Sequence, residues 1–512
     1  MTRVVVVGHG MVGSRFVDEL LRRDTDGRFS VTVLGAEGYE PYNRVLLSEV
    51  VAGAVDVASL TLPAAPPGRA VVRNGAAAHH LDRAAREVVT EDGTTHGYDV
   101  LVLATGAAAS VPPLPGLRGG LPAGVHALRT LDDAREIVAA AVNRPGAVVL
   151  GAGVLGLEAA CGLAARGLDV AVVHGGAHLM DRQLDATSAA VVAGSLSGLG
   201  VAHRTGACAE EVLVDDDGRV TGLRLAVGEL LPAGLLVLAC GTQPETDLAR
   251  TAGLGVERGI VVRGDLTCPA DPAVFAIGDC AQPPAGGSGL VAQGWEQARR
   301  LAAQLVSGTV AATPAGNGDG GDVVRLKAVG LDVLTLGVGG VGGVGGGRAV
   351  AGPGHRVLRL SDPAAGRHVE VVVGGDVLVG ATCVGAGPLA ADLTAAYTRG
   401  TPVPEDPAHL LLRPVAEVAP ATSPTLMPDG TTVCRCNGVT KADVVAGWRA
   451  GARDVEQVAA ATRATTGCGG CRDVVCGLVG WLADTDPDGD RGDLPPTSQR
   501  PARPGERTVA AG

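Results

Sequence analysis

The chain has 512 residues, enough for three or four domains at about 100–200 residues each. Its formal net charge is −12 and only 2% of residues are aromatic, so neither an electrostatic nor a base-stacking nucleic-acid surface is expected. No run approaches the ~20 apolar residues of a membrane helix, and the Val4–Val7 run lacks the basic flank and cleavage site of a signal peptide. No membrane association is expected, and the location is read as cytoplasmic.

The predicted elements begin with a buried, parallel-type strand over Arg3–Val7. Gly8-His9-Gly10-Met11-Val12-Gly13 makes a turn, and Ser14–Arg23 reads as a helix. Val31–Leu34 is the next strand. Val100–Leu103 is another, ending in Ala104-Thr105-Gly106, and Pro112–Pro115 breaks the chain. The same pattern then recurs: strand Ala147–Leu150, turn Gly151-Ala152-Gly153-Val154-Leu155-Gly156, helix Leu157–Arg166, strand Val170–Val173. These two units are the only internal repeat. Leu235–Leu238 is a further buried strand, and Phe275-Ala276-Ile277-Gly278-Asp279 ends one more.

Ala311–Asp322 reads as a Gly/Ala/Asp linker. From Val323 to about Arg413 short β-rich runs predict a separate α+β domain, with a flexible glycine-rich loop over Val338–Gly347. Pro414–Asp429 is a second linker, and a cysteine-bearing module follows from Thr431 to about Leu482. From Asp484 onward the composition is that of a disordered tail.

A glycine turn between strand and helix lets backbone N–H groups approach a pyrophosphate, and the helix N-terminus favours the anion. In a chain with 78 glycines the motif alone is weak, but both copies here lie between an apolar strand and a helix. Candidate contacts are Gly8, Gly10 and Gly13 in the first, and Gly151, Gly153 and Gly156 in the second. Glu37, just past the second strand, is placed to bind a ribose 2′-OH. The second copy has His174 where an acidic residue would mark NAD, and no arginine cluster that would mark a 2′-phosphate. The nicotinamide is therefore open, with NADH favoured.

Cys434-Arg435-Cys436 and Cys468-Gly469-Gly470-Cys471 are separated by 31 residues. Two thiols on one short loop can serve one metal, so these four are the candidate metal ligands. A structural zinc and a redox dithiol remain alternatives at this point. The other seven cysteines (Cys161, Cys208, Cys240, Cys268, Cys280, Cys383 and Cys476) are scattered, and most are expected to be small buried hydrophobes.

The order of the two glycine turns, Ala104-Thr105-Gly106, Ala239-Cys240-Gly241 and Ala276-Ile277-Gly278-Asp279 resembles the two-dinucleotide-domain flavoprotein reductases. Pro41-Tyr42-Asn43-Arg44-Val45-Leu46-Leu47-Ser48 and Gly294-Trp295-Glu296-Gln297-Ala298 look like the N-terminal part of the assimilatory NAD(P)H nitrite reductase large subunit and its nitrate reductase electron-transfer relatives. The cysteine module resembles the bacterioferritin-associated-ferredoxin-like [2Fe–2S] domain. The likeness runs from residue 1 to about 482.

The resemblance implies an α/β fold with two Rossmann-like domains. The FAD domain would comprise 1–115 and 241–310, and the NAD(P)H domain 116–240. An α+β domain at 322–413, a small helical [2Fe–2S] module at 431–482 and a tail at 484–512 would complete the chain. By the same resemblance FAD would meet Arg44, Thr105, Gly106, Gly278, Asp279 and Trp295, with core packing the bland reading of Trp295. Cys434, Cys436, Cys468 and Cys471 would hold the cluster. Glu158 would join the second site, with an exposed helix glutamate as the bland reading. No catalytic side chain is required, because the cofactors carry the chemistry.

Hydride would pass from NAD(P)H to the flavin, and electrons would leave through the cluster. The acceptor implied is a nitrate or nitrite reductase catalytic chain. A ferredoxin- or rubredoxin-type reductase, an NADH oxidase, and a reductase fused to a regulatory or iron-handling module are the alternatives. A homodimer is one option for its assembly. Two departures stand out. No second four-cysteine set follows for a sirohaem domain, so nitrite reduction by these residues alone is not expected. The segment Pro41–Val50 holds neither cysteine nor lysine, with Glu49 where a lysine is common, which disfavours disulfide chemistry.

Overall fold

The computed structural model describes residues 1–63, 65, 68–287, 289–309, 323–340, 349–412, 427–434, 437–467 and 470–489. The chain forms two units, Met1–Arg413 and Pro414–Gly512. The linker 311–322, residues 341–347 of the glycine-rich tract, residues 414–426 of the second linker and the tail from 490 lie outside the described residues.

In the first unit, Thr2–Val7 sits between two parallel neighbours, Phe29–Gly35 and Val100–Leu103, with Val4 opposite both Val31 and Val100. The full sheet has six strands in the order Thr267–Cys268, Asp271–Ala276, Val100–Leu103, Thr2–Val7, Phe29–Gly35, Ala70–Asn74. Val4 to Val7 are all buried, as a strand covered on both faces requires. Strand order reverses at Thr2–Val7, so a crevice opens at its C-terminal end, where ligands of such sheets bind.

A second parallel sheet repeats the plan: Val201–Arg204, Asp169–Val173, Gly146–Leu150, Leu235–Leu238, Val125–Ala127. It lies in sequence between Val100–Leu103 and Asp271–Ala276, so the first sheet is completed only after the second is made. Antiparallel pairing of Ala107–Ala109 with Thr242–Pro244 carries the chain between the two.

The helix Met11–Arg23 starts three residues earlier than its sequence pattern suggests, because Gly10 is its N-cap. It buries Phe16, Val17, Leu20 and Leu21. The same helix buries an ion cluster, with Arg15 Nη2 2.7 Å from Glu19 Oε1 and Arg23 also paired to Glu19. Burial alone would raise the Glu19 carboxyl, but Arg23, Arg22 and Arg15 hold it down to about 2 against an ordinary 4.5. The depressed value means its stabilisation is complete above pH 4.5 and is lost as pH falls from there towards 2. Glu19→Gln is expected to cost on the order of 3 kcal/mol at neutral pH and to flatten the acid limb of stability, read by urea unfolding at pH 7 and pH 3.

The region after residue 322 is a five-stranded antiparallel sheet, in the order Val324–Ala328, Leu331–Gly337, Val377–Val384, Arg367–Gly374, His355–Asp362, with the helix Gly387–Arg399 against it. It is not packed as an isolated body. Leu326, Leu331 and Val333 share one core with Leu157, Ala160 and Cys161 of the second glycine-turn helix.

Among its described residues the second unit has two short antiparallel strands, Thr432–Cys434 and Val439–Thr440, and three helices, Lys441–Arg449, Val455–Thr462 and Arg472–Thr485. They enclose Val444, Trp448, Val458, Val475 and Leu478. Thr440 and Asp443 form a reciprocal capping box that starts the first of these helices. The last helix continues through Asp484 and Thr485, and the buried Asp486 accepts Trp448 Nε1–H through its carbonyl at 2.7 Å. Order therefore extends past the expected tail boundary. Among the described residues no helix is long and apolar enough to cross a membrane.

Candidate functional site

The first glycine turn closes the end of Thr2–Val7. Gly8 has φ +113°, and a Cβ there would lie 2.1 Å from Ala104 O, so only glycine fits against the neighbouring strand end. Gly13 is equally enclosed, 2.0 Å from Gly8 O by the same measure. Gly10 differs. A Cβ there would meet nothing closer than Arg44 Nε at 4.0 Å, so this backbone faces an open cleft. The helix that Gly10 caps has no side-chain cap, leaving its first N–H groups for an anion. A cavity of about 300 Å³ adjoins the turn, lined by Gly8, Leu34, Ala36, Ala77 and Thr105 among others. An adenosine group and its pyrophosphate fit that combination.

Across the cleft the predicted residues form one polar chain. Glu37 pairs with Arg44 and accepts the Tyr42 hydroxyl at 2.7 Å. Arg44 lies over the Tyr42 ring and donates to Arg129 O at 3.2 Å. Arg129 in turn donates to Asp279 Oδ2 at 2.8 Å and Ala107 O at 2.9 Å. Glu37, Arg44 and Asp279 are thus brought together by Arg129, which the sequence reading did not single out. Its only sequence signal is its place directly before the N-cap Thr130, whose capping box with Asp133 fixes the backbone there.

Thr105 donates to Glu245 O at 2.7 Å, and Gly106 O accepts Glu245 N–H at 2.9 Å, which locks this corner to the returning chain. Gly278 N–H donates to Gln297 Oε1 at 2.7 Å. Trp295 is 2% exposed, and its indole N–H is spent on Met11 O at 3.0 Å. It therefore braces the first glycine turn from within the core instead of facing the cleft.

The second turn reproduces the first. Gly151 has φ +115° and sits against Ala239 O, Gly156 packs on Gly151 O, and Gly153 faces open space as the uncapped start of Val154–Ala165. His174 follows the adjacent strand, with Nε2 3.4 Å from Asp181 Oδ2.

Glu158 is not an exposed helix glutamate. It is 8% exposed, accepts Ser48 Oγ–H at 2.6 Å and Lys327 N–H at 2.9 Å, and so ties the helix Leu47–Ala52 and the third sheet to the second turn. Burial pushes its carboxyl above the ordinary range, opposed by Ser48 and Lys327. The sequence could not show this, because the covering strand lies 169 residues away.

In the second unit Cys434 ends the first short strand and Cys471 is the N-cap of Arg472–Thr485. They are 1% and 8% exposed, and neither is in a disulfide. A hydrogen bond with Cys471, with help from the Asn437 and Thr465 N–H groups, brings the Cys434 thiol down to about 6 despite burial. That favours the thiolate a metal needs. One thiol from each predicted pair, buried and in contact, fits a shared thiolate centre. Cys436 and Cys468 lie outside the described residues, and among the described residues no group of three or more ligating side chains is formed. Of the scattered cysteines, Cys161, Cys268, Cys280 and Cys383 are buried, whereas Cys208, Cys240 and Cys476 are exposed.

Two sheets with twin glycine turns, one cleft with an acid–arginine chain, and a buried thiol pair on a separate unit are the layout of a protein built for two dinucleotides and a thiolate-held metal. Residues 2–303 match the pyridine nucleotide-disulphide oxidoreductase family, and the chain belongs to it. Residues 432–479 match the BFD-like [2Fe–2S] binding domain. FAD, NAD(P)H and a [2Fe–2S] cluster are therefore its cofactors.

Similar proteins include a nitrite reductase [NAD(P)H] of Bacillus subtilis, 32% identical over 92% of this chain and 57% of the relative. The assimilatory nitrate reductase electron transfer subunit of the same organism is 29% identical over 94% and 60%. The chain thus spans under two thirds of the length of these curated relatives. The solved putidaredoxin reductase–putidaredoxin complex superposes with a TM-score of 0.67 over 80% of this chain and 95% of that one, at 24% identity, which speaks for the fold.

Proposed function

We propose that this chain oxidises NADH and delivers the electrons singly to an assimilatory nitrate- or nitrite-reducing catalytic unit. The observation that carries this reading is the similarity, along more than nine tenths of this chain, to parts of two relatives named for nitrite reduction and for electron transfer in nitrate reduction. The cofactors, when bound, supply hydride acceptance and its division into single electrons. The chain's own groups position them. The Gly10 and Gly153 faces admit the two dinucleotides. Arg44 and Arg129 offer positive charge beside the first, and Glu37 and Asp279 accept hydroxyl hydrogen bonds. Cys434, Cys436, Cys468 and Cys471 hold the cluster.

The preference for NADH rests on Asp181. It sets a carboxylate beside His174, at the strand end where a 2′-phosphate would lie. Asp181→Asn is expected to narrow the NADH-over-NADPH ratio of kcat/KM by about tenfold, since one like-charge contact near a surface is worth about 1–4 kcal/mol. An unchanged ratio would remove Asp181 from coenzyme choice.

The acceptor is tested with the purified chain and NADH. An artificial dye should be reduced at once, while nitrate or nitrite should be consumed only after a catalytic unit is added. Efficient turnover with a ferredoxin or rubredoxin, or with oxygen, and none with the nitrate or nitrite unit, would replace the proposed acceptor.

A further inference from the structure

We propose that Asn437 is the positioning residue of the cluster site, clamping the loop that leads to the second cysteine pair and donating to the Cys434 sulfur so as to raise the cluster's reduction potential. The proposal rests on Cys434 being a cluster ligand. Asn437 directly follows the first cysteine pair. Its Nδ2 lies 2.6 Å from Arg463 O, 3.2 Å from Thr466 Oγ1 and 3.7 Å from Cys434 Sγ. A carboxamide NH2 has two hydrogens. Arg463 O is the nearest acceptor, and Thr466 Oγ1 and the sulfur both lie within reach of the same NH2 group. One side chain therefore joins the two short segments that carry the cysteines.

The loop it holds has two residues in left-handed backbone, the first of them the C-cap of the helix Val455–Thr462. Arg463 and Thr465 have φ +64° and +67°, a region that residues with side chains rarely adopt. The Arg463 carbonyl anchors this conformation, accepting from Asn437 Nδ2, from Thr466 Oγ1 at 2.8 Å and from Thr466 N at 3.3 Å. A thiolate ligand surrounded by donors carries the extra negative charge of the reduced cluster more easily, so each donor to sulfur moves the potential upward. Sequence position alone hides this, because Asn437 meets its partners 26 and 29 residues away.

The experiment uses the full chain with Asn437→Asp, which keeps the shape but loses both donors and adds charge, and Asn437→Ser, which removes Nδ2 without adding charge. Iron and labile sulfide are counted first. The cluster is then titrated by electron paramagnetic resonance, with the flavin's own midpoint as an internal control. At the potential that half-reduces the wild-type cluster, the reduced-to-oxidised ratio in a loaded variant should fall about tenfold, which is 59 mV for one electron. The flavin midpoint should not move. A loaded variant with the wild-type cluster midpoint overturns the proposal. If neither variant loads iron while both retain flavin, the site depends on the bridge for its assembly, which supports the clamping role. Wild-type chain without labile sulfide would instead remove the cluster-ligand reading on which the proposal stands.

Discussion

Gly10→Val is expected to give a folded protein that has lost its flavin. Gly10 has φ −82° and ψ −167°, extended backbone that a β-branched residue adopts without strain. Its Cβ position is open apart from Arg44 Nε at 4.0 Å. The valine methyls would therefore enter the cleft, where the pyrophosphate must meet the first turn of Met11–Arg23. Losing two or three backbone hydrogen bonds of about 1 kcal/mol each, together with the steric block, should reduce bound FAD by at least about tenfold. Gly13→Ala is the contrast. Its Cβ would strike Gly8 O, so instability as well as flavin loss is expected there. Acid-released flavin and thermal unfolding, measured on both variants, separate the two effects. A yellow Gly10→Val protein with the wild-type flavin content would mean that the pyrophosphate lies elsewhere.

The sequence made the glycine turns legible because the chemistry there is written in what is missing. Gly8 and Gly151 need a positive φ, and Gly13 and Gly156 need the absence of a side chain, so no other residue can stand in for them. The cysteine pairs were readable for a related reason, since short spacing alone puts two sulfurs on one loop. What stayed hidden acts across long separations. Arg129 reaches Asp279 over 150 residues, and its place before the N-cap Thr130 says nothing of that partner. Glu158 stood between a place at the second dinucleotide site and an exposed helix glutamate, and the strand Val324–Ala328 that covers it lies 169 residues away. Trp295 lies in a segment that resembles a flavin-binding motif, yet its indole supports the turn through Met11. In each case the partner that decides the residue's role lies 150 or more residues away along the chain.

Replacing Cys471 by serine is expected to abolish partner-dependent turnover and leave the flavin intact. Cys471 opens the helix Arg472–Thr485 and contacts Cys434, so its sulfur is set by both the helix start and the other cysteine segment. Serine offers a hard, weakly acidic oxygen in its place, a poor ligand for an iron–sulfur centre. The module has its own core around Trp448, and the first unit has separate ones, so damage to the thiol site should not reach the FAD cleft. Flavin content should match wild type, labile sulfide should be absent, and NADH-to-dye reduction should persist in part. Turnover with the nitrate or nitrite catalytic unit should fall by about 100-fold. Cys476→Ser is the control: Cys476 is exposed on the same helix, and its loss should leave cluster and turnover unchanged. If Cys476→Ser also removed the sulfide, the ligand set would have to be redrawn. If Cys471→Ser lost the cluster but reduced the partner undiminished, electrons would leave directly from the flavin, and the thiol module would serve some purpose other than conduction.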